Sequence, residues 1–275
     1  MIVRGMSNAD YHACPEMSRS RLELMGRTPA YYKAFMDGVI ERKQTAALTL
    51  GTRFHCAVLE PSQWAERYAL LPEFENSAQS KAGKLEREAW ATENPGEPVT
   101  SDEYKTIWDM AAALKAHPMG SLLLQQAGPT DREVSVFGTL ADVPCRCRPD
   151  AIVPVDDGVF LVDLKSTGDA SPTGFAKSVA NYGYDIQDAF YSDLCTEQGM
   201  NVLGFVFIAT ESEPPYLTAT YCLKEVDIET GRERYRDLLA LYARCVELDE
   251  WPGLSGAIEV LELPKWHTYR RAHRE

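Results

Sequence analysis

Asp150, Asp163 and Lys165 are the residues whose types and spacing best fit one piece of chemistry. Pro149-Asp150 is followed thirteen positions later by Asp163-Leu164-Lys165. On an extended strand Asp163 and Lys165 share a face while Val162 and Leu164 point the other way, into a core. The neighbouring strand, read as 144–154, places Arg146, Arg148 and Asp150 on a single face. The turn Asp156-Asp157-Gly158 folds the two strands together, so the carboxylates converge. Two carboxylates at close quarters repel unless a cation lies between them, and an oxygen-rich site of this kind suits Mg²⁺, with Mn²⁺ as an alternative. Water on such an ion is a nucleophile for phosphorus, and Lys165 stands where it could orient that water or stabilise phosphoryl charge. Alone, Asp-x-Lys reads equally as an ion pair on an exposed strand. The apolar frame of VFLVDLKST favours a buried site.

These residues need a sheet and helices to position them. From residue 131 apolar residues alternate, predicting strands at 132–139, 144–154 and 158–165, then 202–209 and 216–222. Helical spacing precedes them: a helix through Arg21–Met25 capped by Ser18 or Ser20, one opened by Pro29, one over Ala46–Leu59, and one capped by Asp102 and ended by Pro118. Helices also follow, at about 173–199 and 225–248. Residues 72–102 are polar apart from a short Lys/Glu-rich helix and read as an exposed, mobile excursion. The order predicts an α/β fold, a central mixed sheet flanked by helices.

Beyond the first three residues, Gln187 and Tyr191 lie four apart, on one face of a helix, and His55 sits in LTLGTRFHCAVLEP. Alone, these read as a packed tyrosine and a core histidine. In this order, with Pro149-Asp150 and Asp163-Leu164-Lys165, the set resembles the PD-(D/E)XK nuclease superfamily, whose RecB-like and phage-recombination branch has Q-x-x-x-Y and G-x-x-x-H helices. Met17–Leu22, Thr28–Lys33, Ser80–Lys84 and Leu263-Pro264-Lys265-Trp266 are similar to the RecE-like (exonuclease VIII) exonucleases of prophages. The resemblance implies a restriction-endonuclease-like core at about 131–225, a helical part at about 1–120 packed on it, and a C-terminal helical extension, all in one nuclease domain. It further implies a metal held by His55, Asp150, Asp163 and Leu164, and DNA contacts from Gln187 and Tyr191. Glu133 is either a water-linked support for the metal or a solvated strand-end glutamate. Thr28 stands where iron–sulfur relatives have a cysteine, so no cluster is expected.

The net charge of −13 opposes non-specific binding to phosphates. A nuclease of this charge needs local basic residues, for which Arg146, Arg148, Lys81 and Lys84 are the candidates. Seven irregularly spaced cysteines fit packed core thiols better than disulfides or zinc. No apolar run reaches membrane-spanning length and the N-terminus lacks a signal-peptide pattern, so a cytoplasmic protein is expected. The resemblance implies metal-dependent 5′→3′ hydrolysis of linear double-stranded DNA from its ends, by a homo-oligomeric ring, with a phage single-strand annealing protein as partner. Alternatives are a structure-specific endonuclease on the same fold, a non-catalytic DNA-binding scaffold, and an unrelated acidic α/β protein.

Overall fold

The computed structural model describes residues 1–41 and 43–263; of the closing Leu263-Pro264-Lys265-Trp266, all but Leu263 lies outside them. In chain order the elements are β1 (Ile2–Val3), α1 (Asn8–Ala13), α2 (Arg19–Arg27), α3 (Pro29–Met36), α4 (Ala46–Leu59), α5 (Trp64–Arg67), β2 (Tyr68–Leu70), α6 (Lys81–Glu93), β3 (Glu97–Val99), α7 (Ser101–Ala116) and α8 (Pro118–Gln126). There follow β4 (Ser135–Leu140), β5 (Val143–Cys147), β6 (Ala151–Val155), β7 (Gly158–Thr167), α9 (Pro172–Tyr182), α10 (Tyr184–Glu197), β8 (Val202–Glu211), β9 (Thr218–Tyr221) and α11 (Glu225–Leu248).

The sheet that carries the candidate site has the order β6-β7-β8-β9. β7 pairs antiparallel with β6 and parallel with β8, and β9 closes the sheet antiparallel to β8. It is thus a mixed sheet in an α/β fold. Both its faces are covered. Leu161, Phe205, Phe207 and Ala209 pack with α10 and α2 in one apolar cluster, while Val162, Leu164, Val206 and Ile208 pack with α4, α7 and α8 in another. Double coverage explains the near-continuous apolar run of β7. Asp163 falls on the α10 face because side chains alternate along the strand.

The structure adds to or corrects the sequence expectations at four places. The strand read as 144–154 is broken at 148–150: β5 joins a separate sheet, β1-β4-β5, and only β6 pairs with β7. Pro118 ends α7 but also opens a further helix, because proline's fixed φ suits a first helical turn. Thr100, not Asp102, caps α7, in a reciprocal box with Glu103. Residues 72–102 are largely exposed and carry the expected short helix, α6, and they also form a built lobe. β2 and β3 pair in parallel, Phe74 packs edge-on against Trp90 of α6, and buried Arg53 of α4 ties the lobe down through Glu97 and Glu103.

Candidate metal and nucleic-acid site

Asp150 lies at the point where β6 begins, and its position follows from Pro149. Extending the β6–β7 register places Pro149 opposite Leu164. Proline has no N–H to donate, so the ladder stops and Leu164 keeps both polar backbone groups free on that edge. The Asp150 carboxylate accepts the Leu164 N–H at 2.6 Å, and Nε2 of His55 bonds the Leu164 carbonyl at 2.9 Å. Nδ1 of the same imidazole is 3.4 Å from Asp150.

His55 reaches this edge because α4 lies close on β7. At Gly51, one helical turn before His55, an added Cβ would sit 3.2 Å from the Ser166 hydroxyl, a tight contact that marks how close α4 lies to β7. The glycine and the histidine of G-x-x-x-H therefore act together, one through contact distance and the other through donor chemistry.

Glu133 completes the group. Its ligand atoms, with those of His55 and Asp150, all lie within 4.8 Å of one another. The residue has a left-handed backbone, φ 51°, at a cost of about 1 kcal/mol for a side chain with a Cβ. Its N–H bonds the Asp150 carbonyl. Arg148 stands 3.9 Å from its carboxylate.

Asp163 has a different surrounding. Lys165 forms an ion pair with one of its oxygens and the Gln187 amide donates to the other, while the Lys165 ammonium donates to Oε1 of Gln187 at 2.9 Å. The three make a closed triangle. Of the ligand set that the resemblance implies, His55, Asp150 and Leu164 lie together with Glu133, and Asp163 pairs with Lys165 and Gln187. Gln187 was readable from its motif; for Glu133 the sequence left two readings open, and the left-handed backbone brings it beside His55 and Asp150.

The electrostatics suit a cation. Burial alone would lower the His55 pKa, but the Asp150 carboxylate outweighs it and, with Asp163 and Glu133, lifts the imidazole to about 9. Burial and then the charge of Asp150 push Glu133 up to about 8. Asp150 is held below the usual carboxylate range by His55, against its burial. Burial raises Asp163 in spite of Lys165. Protons thus stand on two of three donors where a divalent ion would otherwise supply positive charge. The imidazole of His55 and the carboxylates of Glu133 and Asp150 form a donor set that could hold a divalent ion.

His55, Glu133 and Asp150 open onto a cleft of about 800 Å³ that Tyr191 also lines. Four arginines line it (Arg4, Arg67, Arg132 and Arg148) against three carboxylates, Glu60, Glu133 and Asp150. Most of these charges are answered locally: Arg4 pairs with Asp131, Arg67 with Glu60, and Arg148 stands by Glu133. Arg146 does not contribute: it is 2% exposed, donates to the Tyr11 carbonyl and lies over the Tyr11 ring. The change of sheet after β5 and the packing of α1 above it turn this residue inward. Arg148 does line the cleft, braced by Ser135 and the Met6 carbonyl. Lys81 and Lys84 are exposed on α6 and line no part of the cleft. Among the described residues no helix is long and apolar enough to cross a membrane.

A solved structure from Eubacterium rectale, named as a candidate exonuclease, is similar at 16% identity with a TM-score of 0.62, over 98% of this chain and 100% of that one. A second, SSO0001, is similar at 15% identity over 70% of this chain and 86% of that one, and its TM-score of 0.30 is too low to bear on the fold. No curated protein matches by sequence. Residues 18–264 match the PDDEXK-like domain of unknown function DUF3799, the family to which this chain belongs.

Proposed function

We propose that this protein is a divalent-metal-dependent exodeoxyribonuclease that hydrolyses phosphodiester bonds at the ends of linear double-stranded DNA. The observation that carries the reading is the meeting of two groups at the Asp150–Asp163 edge. His55, Glu133 and Asp150 form a cation-binding cluster, and Lys165 is fixed beside it by Asp163 and Gln187.

His55, Glu133, Asp150 and the Leu164 carbonyl are the groups that would hold the ion. When bound, it supplies Lewis acidity and a water of lowered pKa. Lys165 then places a fixed positive charge where phosphoryl oxygens gain charge, with no reorganisation at the moment of reaction. Gln187 keeps Lys165 and Asp163 in register, so its loss would misplace the ammonium. Arg148 and Arg132 line the cleft, but their guanidinium groups donate to internal partners, so they brace its wall.

The RecE likeness supports 5′→3′ polarity, a ring-shaped homo-oligomer and a phage single-strand annealing protein as partner. The test is digestion of linear and closed-circular duplex with Mg²⁺, alongside EDTA and the Lys165→Ala protein. Loss of the linear DNA alone, blocked by both controls, supports the reading. Cutting of the circle makes the protein an endonuclease; binding without cleavage of either makes it a scaffold.

A further inference from the structure

Lys165 lines a second, smaller cavity of about 180 Å³, separate from the cleft at His55, Glu133 and Asp150. Ser166, Thr167 and Ser212 supply hydroxyl groups to its wall, and Tyr182 and Tyr184 supply aromatic rings. The Tyr184 ring is fixed: it stacks on Phe207 at 5.7 Å, and the Lys165 ammonium lies 4.4 Å from its centroid. Tyr182 leans on it at 5.8 Å and 31°, yet is 61% exposed. Gly183, with φ 62°, makes the turn from α9 to α10 that presents the two rings side by side.

We propose that this cavity receives one unpaired nucleobase of the DNA end, stacked on Tyr182, and so positions the phosphate next to it at Lys165. The inference rests on the nuclease reading and adds a frayed, single-stranded terminus as the form of substrate that enters. Three features carry it. The volume suits one base and not a base pair. The cavity is rich in hydroxyl groups, and no carboxylate lines it in a chain of net charge −13, so a nucleotide meets no repulsion there. An exposed ring braced by half-buried Tyr184, itself stacked on buried Phe207, is a stacking platform, which accepts any base because every base has a π face. Tyr182 is then a positioning residue, acting through the base it holds.

The experiment measures binding of short single-stranded oligonucleotides, with Ca²⁺ replacing Mg²⁺, while an abasic residue is moved one position at a time from each end. The wild-type protein is expected to lose affinity by roughly tenfold when the abasic residue occupies one particular position. Tyr182→Ala is expected to bind the intact and that abasic oligonucleotide alike, and Tyr182→Phe to regain the discrimination. If Tyr182→Ala keeps wild-type discrimination, or if no abasic position matters to the wild type, the proposal is wrong. Digestion of linear duplex by the wild-type protein is scored in parallel. Cleavage with no effect at Tyr182 overturns this inference alone, whereas absence of both cleavage and DNA binding overturns the nuclease reading with it.

Discussion

At neutral pH the metal-free site is expected to carry one proton on His55 and another on Glu133, and a divalent cation must displace both. With pKa values lifted to about 9 and about 8, roughly 99% and 90% of these groups are protonated at pH 7, so binding should release about two protons. At pH 9 about half of His55 and a tenth of Glu133 keep their protons, and the release falls to about 0.6. Affinity should therefore rise by about two powers of ten per pH unit below pH 8 and by about one between 8 and 9. The same shifts act on the metal-free fold. A raised pKa means that the His55–Asp150 pair stabilises fully below the unfolded value of 6.5 and is lost as pH rises through about 9. The shift sets a ceiling of about 3 kcal/mol, reduced because the His55 side chain is 29% exposed. Titration calorimetry with Mn²⁺ in buffers of different ionisation enthalpy counts the released protons directly. Glu133→Gln should lower the count at pH 7 by about one. A binding heat at pH 7 that does not depend on the buffer would refute the assignment of His55 and Glu133 as protonated ligands.

Other consequences follow from particular contacts. Lys165→Ala should leave Mn²⁺ affinity within a few-fold of wild type yet stop turnover, because the ammonium acts on phosphoryl oxygens and not on the ion; a large calorimetric loss of affinity would contradict that role. Gly51→Val should push α4 from β7 against the Ser166 hydroxyl and weaken Mn²⁺ binding by about 10- to 100-fold, the scale for misplaced ligand support; unchanged affinity would show that the close approach is not needed. Gly231→Ala should lower stability by about 1–3 kcal/mol in denaturant melts, since its Cβ would fall 2.3 Å from the Asp185 carbonyl where α11 crosses α10. Asp188, 2% exposed on α10, has its pKa raised to about 7 by burial, so its contribution is lost as pH rises from about 4 through 7. Asp188→Asn should therefore gain stability over wild type at pH 8 relative to pH 5, and an equal difference at both would exclude the effect.

The central strands were legible because their information is local. Alternation along VFLVDLKST fixes which side chains share a face, and Asp156-Asp157-Gly158 brings β6 back onto β7 with Val155 opposite Gly158. Helices α4 and α11 could be read to their ends for the same reason. Asp150, Asp163, Lys165 and Gln187 lie within 38 residues of chain, on two paired strands and the helix that crosses them, so spacing and motif together could place them. The lobe over 72–102 was not legible because its apolar contacts, Phe74 on Trp90 and Tyr68 with Val99, join residues too far apart to give a period.

What the chain could not declare locally depends on meetings across long separations. His55 meets Asp150 because α4 lies close on β7, and the left-handed backbone of Glu133 decides between the two readings its position allowed. Arg146 and Arg148 look alike on a strand and both come to lie over the Tyr11 ring of α1, yet of the two Arg148 lines the cleft and Arg146 does not. Residue type and strand period determined which groups could do the chemistry. Burial and approach between distant segments decided which of them stand together, because desolvation and charge coupling act through space and not along the chain.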